Sequence, residues 1–233
     1  MQTVSETYKN IKLSGAYREE IKLTVDGVEY EQHTIVSLAT YASRFSADRK
    51  IGCAISAEID LQYFPGAAEP PRMAEIRIYS RLVTDTQESE WIPRGVFFFD
   101  TRDKNRLTGL LTVHGYDAMI KAEQPFLDED GGDTGEWPRP ASTVVNQIAA
   151  KMGVNVDSRT VLDNVMVAYP NDFTCRELLM QIAGAHAGNW IMSGAGELWL
   201  QPLNSEPPET FYLMTEDGYE VTFGDDEDRI LIE

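Results

Sequence analysis

The polar and apolar positions of this chain change period near its middle, and the change divides it. Up to about position 113 the period is two. Ile21-Lys22-Leu23-Thr24-Val25 alternates, Asp26-Gly27 is a favoured hairpin turn, and Val28-Glu29-Tyr30 resumes the alternation. Further strands are predicted at Thr34–Leu38, Cys53–Tyr63, Ala74–Val83, Gly95–Phe99 and Leu107–Val113, punctuated by Pro65-Gly66 and Pro70-Pro71. In the second of these, Cys53, Ile55, Ala57, Ile59 and Leu61 share one face. Many short strands at this spacing predict a barrel or a sandwich.

Beyond that the period becomes helical. Tyr116–Glu123 reads as a short helix leaving the strands, and Asp128 to Glu136 as an exposed acidic loop. Ser142 is placed to cap a helix reaching Met152, with Val145, Ile148, Ala149 and Met152 on one face and Gly153 as its stop. Thr174 and Glu177 form a capping box for a second helix, striped by Leu178, Ile182 and Ala185 and ended by Gly188. Asn189–Ser193 and Glu197–Leu200 flank Gly194-Ala195-Gly196 as a hairpin. The predicted class is therefore β-rich α+β: a β-barrel domain over 1–125, followed by or containing a small α+β domain over 126–203. Residues 204–233, with a linker at Glu206–Glu209 and a strand at Tyr219–Phe223, read as return strands toward a second, abbreviated barrel or as part of a longer protein.

Composition narrows the function. The 233 residues carry 20 Lys and Arg against 38 Asp and Glu, a net charge of −18. Affinity for nucleic acid comes largely from cations, so a phosphate backbone is a poor partner. No stretch has the apolar length of a secretory signal or of a membrane span of roughly 18 residues, and folding in a cytosol is expected. Cys53 and Cys175 lie far apart with no CxxC pair, and read as buried free thiols.

The chemistry of an enzyme is hard to find. HExxH, Walker, GxSxG and EF-hand patterns are absent. Cys175 and His186 share a helix face but stand about 16 Å apart along its axis, against the ~3 Å that a nucleophile and its base require. Cys53 with His33 or His114 has no spacing to recommend it. Asp128, Asp130, Asp133 and Glu136 could hold Ca²⁺, but miss the EF-hand template and read as a solvated loop, as does Asp225–Asp228. No catalytic, cofactor-binding or metal residue is assigned, and no cofactor is expected. Phe97, Phe98 and Phe99 cannot all point to one side of a strand, so one side needs a cover, for which a neighbouring subunit is a candidate. Trp190 and Trp199 fill a small core or meet a partner. These five are the candidate interface residues.

Two segments carry a resemblance. Trp91-Ile92-Pro93-Arg94-Gly95-Val96-Phe97-Phe98-Phe99-Asp100, with Leu110–Met119 ending in Tyr116-Asp117-Ala118-Met119, resembles the tail-hub proteins of prophages and tailed phages of Gram-positive bacteria. Phe173–Leu179, with Ile182-Ala183, Gly188–Ile191 and Gly196–Leu198, is similar to a second segment of that family. The resemblance spans roughly residues 10 to 205. It implies a structural, non-enzymatic hub at the virion tail tip, assembled in the bacterial host cytoplasm. A trimer of tube barrels would form a ring continuing the tail tube. The implied partners are a distal tail or tube protein, the tape measure and a fibre or spike, with DNA passing through the lumen unbound. The alternatives are a carbohydrate- or receptor-binding tail-tip module and the N-terminal part of a tail-associated cell-wall hydrolase.

Overall fold

The computed structural model describes residues 4–46, 48, 50–66, 70–127, 135–203, 222–223 and 228–229. A short helix, α1 (Glu6–Ser14), precedes seven strands: β1 (Arg18–Val25), β2 (Val28–Glu31), β3 (Ile35–Tyr41), β4 (Glu58–Tyr63), β5 (Glu75–Val83), β6 (Ile92–Lys104) and β7 (Leu111–Asp117). They form one antiparallel sheet in the order β2-β1-β5-β6-β7-β4-β3.

That order forces the sheet to curl. Laid flat, seven strands are about 29 Å from first to last at ~4.8 Å per strand. The two edges, β2 and β3, are nevertheless consecutive in the chain, joined by a single 3-10 turn at Gln32–Thr34. The steps from Glu31 to Ile35 reach about 14 Å at most, so the sheet rolls until its edges approach, making a half-barrel. Its inner face buries Leu23, Val25, Ile59, Leu61, Tyr63, Ile76, Ile78, Phe97, Phe99, Leu111 and Val113. Tyr30 of β2 meets Tyr63 of β4 edge to face, ring centroids 5.1 Å apart, stitching the two margins of the curl. Helix α1 closes a satellite cluster, with Tyr8 and Ile11 on Leu82 and Ile92.

The second core belongs to the α+β part. A 3-10 turn at Ala118–Glu123 follows β7, and then β8 (Arg139–Pro140), α2 (Ala141–Met152), β9 (Met166–Val167), α3 (Cys175–Ala185) and the hairpin of β10 (Gly188–Met192) and β11 (Leu198–Pro202). Val144, Val145, Ile148, Met152, Leu178, Leu179, Ile182, Trp190, Leu198 and Leu200 are buried there with Ala118, Met119 and Ala122 of the turn. This core begins at Ala118, a few residues before the predicted boundary. It also borrows from the sheet, because Val96 and Phe98 of β6 point into it. In the C-terminal stretch the structure describes a ladder of β12 (Thr222–Phe223) and β13 (Asp228–Arg229). The predicted linker at 206–209, residues 219–221, Asp225–Glu227 and most of the acidic loop, 128–134, lie outside the described residues.

Several sequence expectations shift: β6 runs well past the predicted Gly95–Phe99 at both ends, β3 reaches Tyr41, and the short helix predicted from Tyr116 is a 3-10 turn that starts at Ala118. Strand β4 starts at Glu58 and not Cys53, because the backbone of 53–55 pairs with β10: the Trp190 N–H donates to the Cys53 carbonyl at 2.8 Å, and the Ile55 N–H to the Trp190 carbonyl at 2.9 Å. Strand β7 starts at Leu111, since 105–110 are spent on the turn that reverses the long β6. Helix α2 begins without Ser142 as its cap. Pro140 supplies the non-helical entry, and the first-turn N–H of Ala141 is taken by the Val165 carbonyl at 2.8 Å. Helix α3 has its capping box, Thr174 with Glu177, but ends at His186 as C-cap, while Ala187 makes the left-handed turn at φ 47°. Gly188 serves a different need: a Cβ there would stand 2.8 Å from the Gln201 carbonyl oxygen of β11.

Candidate assembly surface

The aromatic run on β6 is built into both cores. Phe97 and Phe99 face the half-barrel, Phe98 faces the helices, and all three are buried. The cover that the run demands is thus the chain's own α+β part. Lys121 of the 3-10 turn lies over the Phe98 ring at 3.7 Å. The tight loop of the β10–β11 hairpin also rests on β6: Cβ atoms at Gly194 and Gly196 would stand 2.8 Å from the Pro93 carbonyl oxygen and 2.7 Å from the Val96 side chain. Trp190 is wholly buried in the second core. Trp199 is half-buried, its ring covered by the Arg159 guanidinium at 3.9 Å. Arg159 in turn pairs with the buried Asp157, whose carboxyl it holds below the usual carboxylate range. Within a single chain none of the five aromatic candidates is fully open to a partner.

The surface that asks for one is the sheet's edge. An edge strand presents unpaired backbone N–H and C=O groups, and natural edges are blunted by charge, brevity or cover. Strand β2, Val28-Glu29-Tyr30-Glu31, is short and carries two carboxylates. Strand β3, Ile35-Val36-Ser37-Leu38-Ala39-Thr40-Tyr41, has seven residues and no charge. Its one blunting device is a register shift at Val36. Val36 and Tyr41 are 54% and 57% exposed on it, with Phe45 in the loop beyond and Phe64 just past β4 also open. The signal for this surface was present in the sequence as an uncharged strand beside an acidic hairpin. Only the strand order reveals it as an edge.

Between the two cores sits a polar joint. Asp117, at the end of β7, is buried and accepts the Ala57 N–H on Oδ2 at 2.8 Å and the Met119 N–H on Oδ1 at 3.0 Å. Burial pushes its carboxyl up to about 6, against the opposing pull of those two N–H groups and of the Arg176 charge. Arg176 of α3 donates to Ser56 Oγ at 3.0 Å and pairs with Glu123. Asn189, fully buried, takes the Cys53 N–H on its side-chain oxygen at 2.9 Å. Its amide nitrogen donates to the Arg44 carbonyl at 2.9 Å and faces that of Lys50 at 3.3 Å. These bonds tie the 44–57 segment to the α+β part.

The thiols and histidines have structural settings. Cys175 is buried at the start of α3 and Cys53 is half-buried. His186 at the other end of α3 accepts the Asp163 N–H on Nε2 at 2.9 Å, and its Nδ1 lies 2.8 Å from the Ile182 carbonyl. His114 lies 2.8 Å from Asp60, and His33 3.5 Å from Glu31. Among the described residues there is no group of three or more potential metal ligands, and no helix is long and apolar enough to cross a membrane.

No family model matches the chain, and no curated protein matches it in sequence. Solved structures similar to it include three tail proteins. The 43 kDa tail protein of prophage MuSo2 from Shewanella oneidensis is 14% identical with a TM-score of 0.53, over 84% of this chain and 59% of that one. A tail protein from Neisseria meningitidis MC58 is 13% identical at a TM-score of 0.47, over 79% and 50% of the two chains. Prophage tail protein gp18 from Listeria monocytogenes EGD-e is 9% identical at 0.47, over 84% and 55%. The chain therefore spans less than two thirds of each of these proteins. The curled sheet with its α+β cover is a fold shared with a prophage tail protein.

Proposed function

We propose that the chain is a structural component of a phage tail, a baseplate-hub-like protein of the tail tip whose half-barrels assemble into a ring, as a homotrimer, around the path of the DNA. The observation that carries this reading is the bare edge of β3 on a curled sheet: an uncharged strand of this length is retained where another chain covers it. The shared fold with the MuSo2 tail protein supports the setting. The net charge of −18 suits a lumen through which DNA slides without sticking, since like charge disfavours lasting contact with phosphates. In this role the protein works by geometry and turns nothing over. Its partners are a distal tail or tube protein above, the tape measure within, and a fibre or spike below. Size exclusion with light scattering, and negative-stain images of the same peak, test it. A trimer with a central hole is expected, and Val36→Lys, which puts a cation on the edge, is expected to shift it to monomer. A wild-type chain that stays monomeric at every concentration sinks the ring.

A further inference from the structure

On β6 the α+β part covers the outer face of the sheet as far as Phe98, which stands opposite Tyr116 of β7. Beyond that pair the outer face is open, and the strand registers fix what it carries. One row runs through Thr101 of β6, His114 of β7, Asp60 of β4 and Ala39 of β3. The next runs through Asp103, Thr112, Gln62 and Ser37. Neighbours within a row are about 4.8 Å apart, and the rows about 7 Å. Leu61 and Val113, between them on their strands, point the other way into the half-barrel core.

These rows line a cleft of about 460 Å³, inside the roughly 300–1,000 Å³ range of small-molecule sites. Turned outward in it are the hydroxyls of Ser37, Thr101 and Thr112, the Gln62 amide, the His114 imidazole and the carboxylates of Asp60 and Asp103. Arg102 borders it too, opposite Val113, at a position that faces the inner side of the sheet. Elsewhere on the sheet carboxylates are met by full cations, Glu20 by Arg81 and Glu29 by Lys22. Here Asp60 has the imidazole, whose Nδ1 donates to it at 2.8 Å, leaving Nε2 of the neutral ring as an acceptor. Asp103 makes no ion pair among the described residues. Tyr116, edge-on to the His114 ring at 5.0 Å, stands beside the cleft as an aromatic rim.

Hydrogen-bonding groups spread over a sheet floor suit a ring of hydroxyls, and a carboxylate with no cation suits an ammonium. We infer that the cleft binds an amino sugar, its hydroxyls exchanging hydrogen bonds with Thr101, Thr112, Gln62 and His114 Nε2, and its ammonium set against Asp103. The two carboxylates repel phosphate, sulfate and uronate groups, so the cleft selects its ligand by charge. Every group comes from one copy, and the inference does not depend on the ring.

Calorimetric titration of the full chain with a glucosamine trisaccharide, and with its fully N-acetylated counterpart, tests it. The amino form is expected to bind saturably, and the acetylated form at least about tenfold more weakly for want of the charge-assisted hydrogen bond. Asp103→Asn is expected to weaken the amino form by about the same factor. Asp85→Asn, which removes the same charge from the connection at the far end of β6, is expected to leave binding unchanged. Unaltered circular dichroism and melting show that these surface variants fold. No saturable binding at about 10 mM overturns the site. Equal losses at Asp103 and Asp85 overturn it as well, since they reveal diffuse attraction of a cation to an acidic chain. Equal binding of the acetylated form overturns the pairing of ammonium with Asp103.

Discussion

Asp117 shows how much one side chain joins. Its two oxygens hold the N–H of Ala57, which enters β4, and of Met119, which starts the 3-10 turn into the second core. Because burial raises its folded-state pKa to about 6, the folded protein binds this proton more tightly than the unfolded chain does. The resulting stability is complete below the usual carboxylate range, about pH 4, and is lost as the pH rises through about 6, up to about 3 kcal/mol. Asp117→Asn keeps the shape, removes the titration and turns an amide against one of the two N–H groups, a cost of about 1–3 kcal/mol. The stability gap between wild type and variant, measured by urea unfolding, is therefore expected to narrow from pH 4 to pH 7. A gap that widens would contradict the assignment. Gly115 is as constrained by space, since a Cβ there would stand 2.4 Å from the Phe98 carbonyl oxygen. Neither role was legible in the sequence, where Tyr116-Asp117-Ala118-Met119 stood out only as a resemblance, because Ala57 and Phe98 are brought to Asp117 and Gly115 by the strand order.

At the scale of elements, the parts that read correctly are those specified locally. The hairpin turn at Asp26-Gly27, the Thr174–Glu177 capping box and the Gly153 stop each need only a few neighbouring residues, and each is where the pattern places it. Thr174→Ala is expected to cost about 1 kcal/mol, read as a lower midpoint in thermal unfolding, since it orphans a first-turn N–H. The misread elements are those decided by distant chain. Cys53–Ile55 continues the alternation of β4 but is captured by Trp190 and the Asn189 amide, Ala57 is held by Asp117, and the first-turn N–H of α2 goes to the carbonyl of Val165. The aromatic run is instructive in the same way. Its two-sidedness was legible and its cover was not, because periodicity reports that a face is buried without naming what buries it. Phe98→Ala is accordingly expected to destabilise the monomer by about 3–5 kcal/mol, a core truncation. Lost assembly with unchanged monomer stability would instead assign Phe98 to a subunit contact.

For the whole molecule, the sharing of β6 between two cores decides how the chain behaves as a unit. The β-rich class and the change to an α+β part were readable from the change of period. The curl was not, because it follows from β2 and β3 being at once sequence neighbours and opposite edges. A boundary near 125 raises the question of whether the two parts are separable, and the contacts between them predict that they are coupled. Val96 and Phe98 lie in the middle of the sheet and in the second core together, and the 44–57 segment is bonded to β10. Excising the α+β part would bare Val96 and Phe98 on a central strand and strip the backbone partners of Gly52, Cys53 and Ile55. The intact chain is therefore expected to unfold in one calorimetric transition, with equal calorimetric and van't Hoff enthalpies over the two cores. A fragment of residues 1–125 is expected to be aggregation-prone, with exposed apolar surface that binds a hydrophobic dye. Two resolved transitions, or a well-folded 1–125 fragment, would show that each core stands alone and that β6 joins them without coupling them.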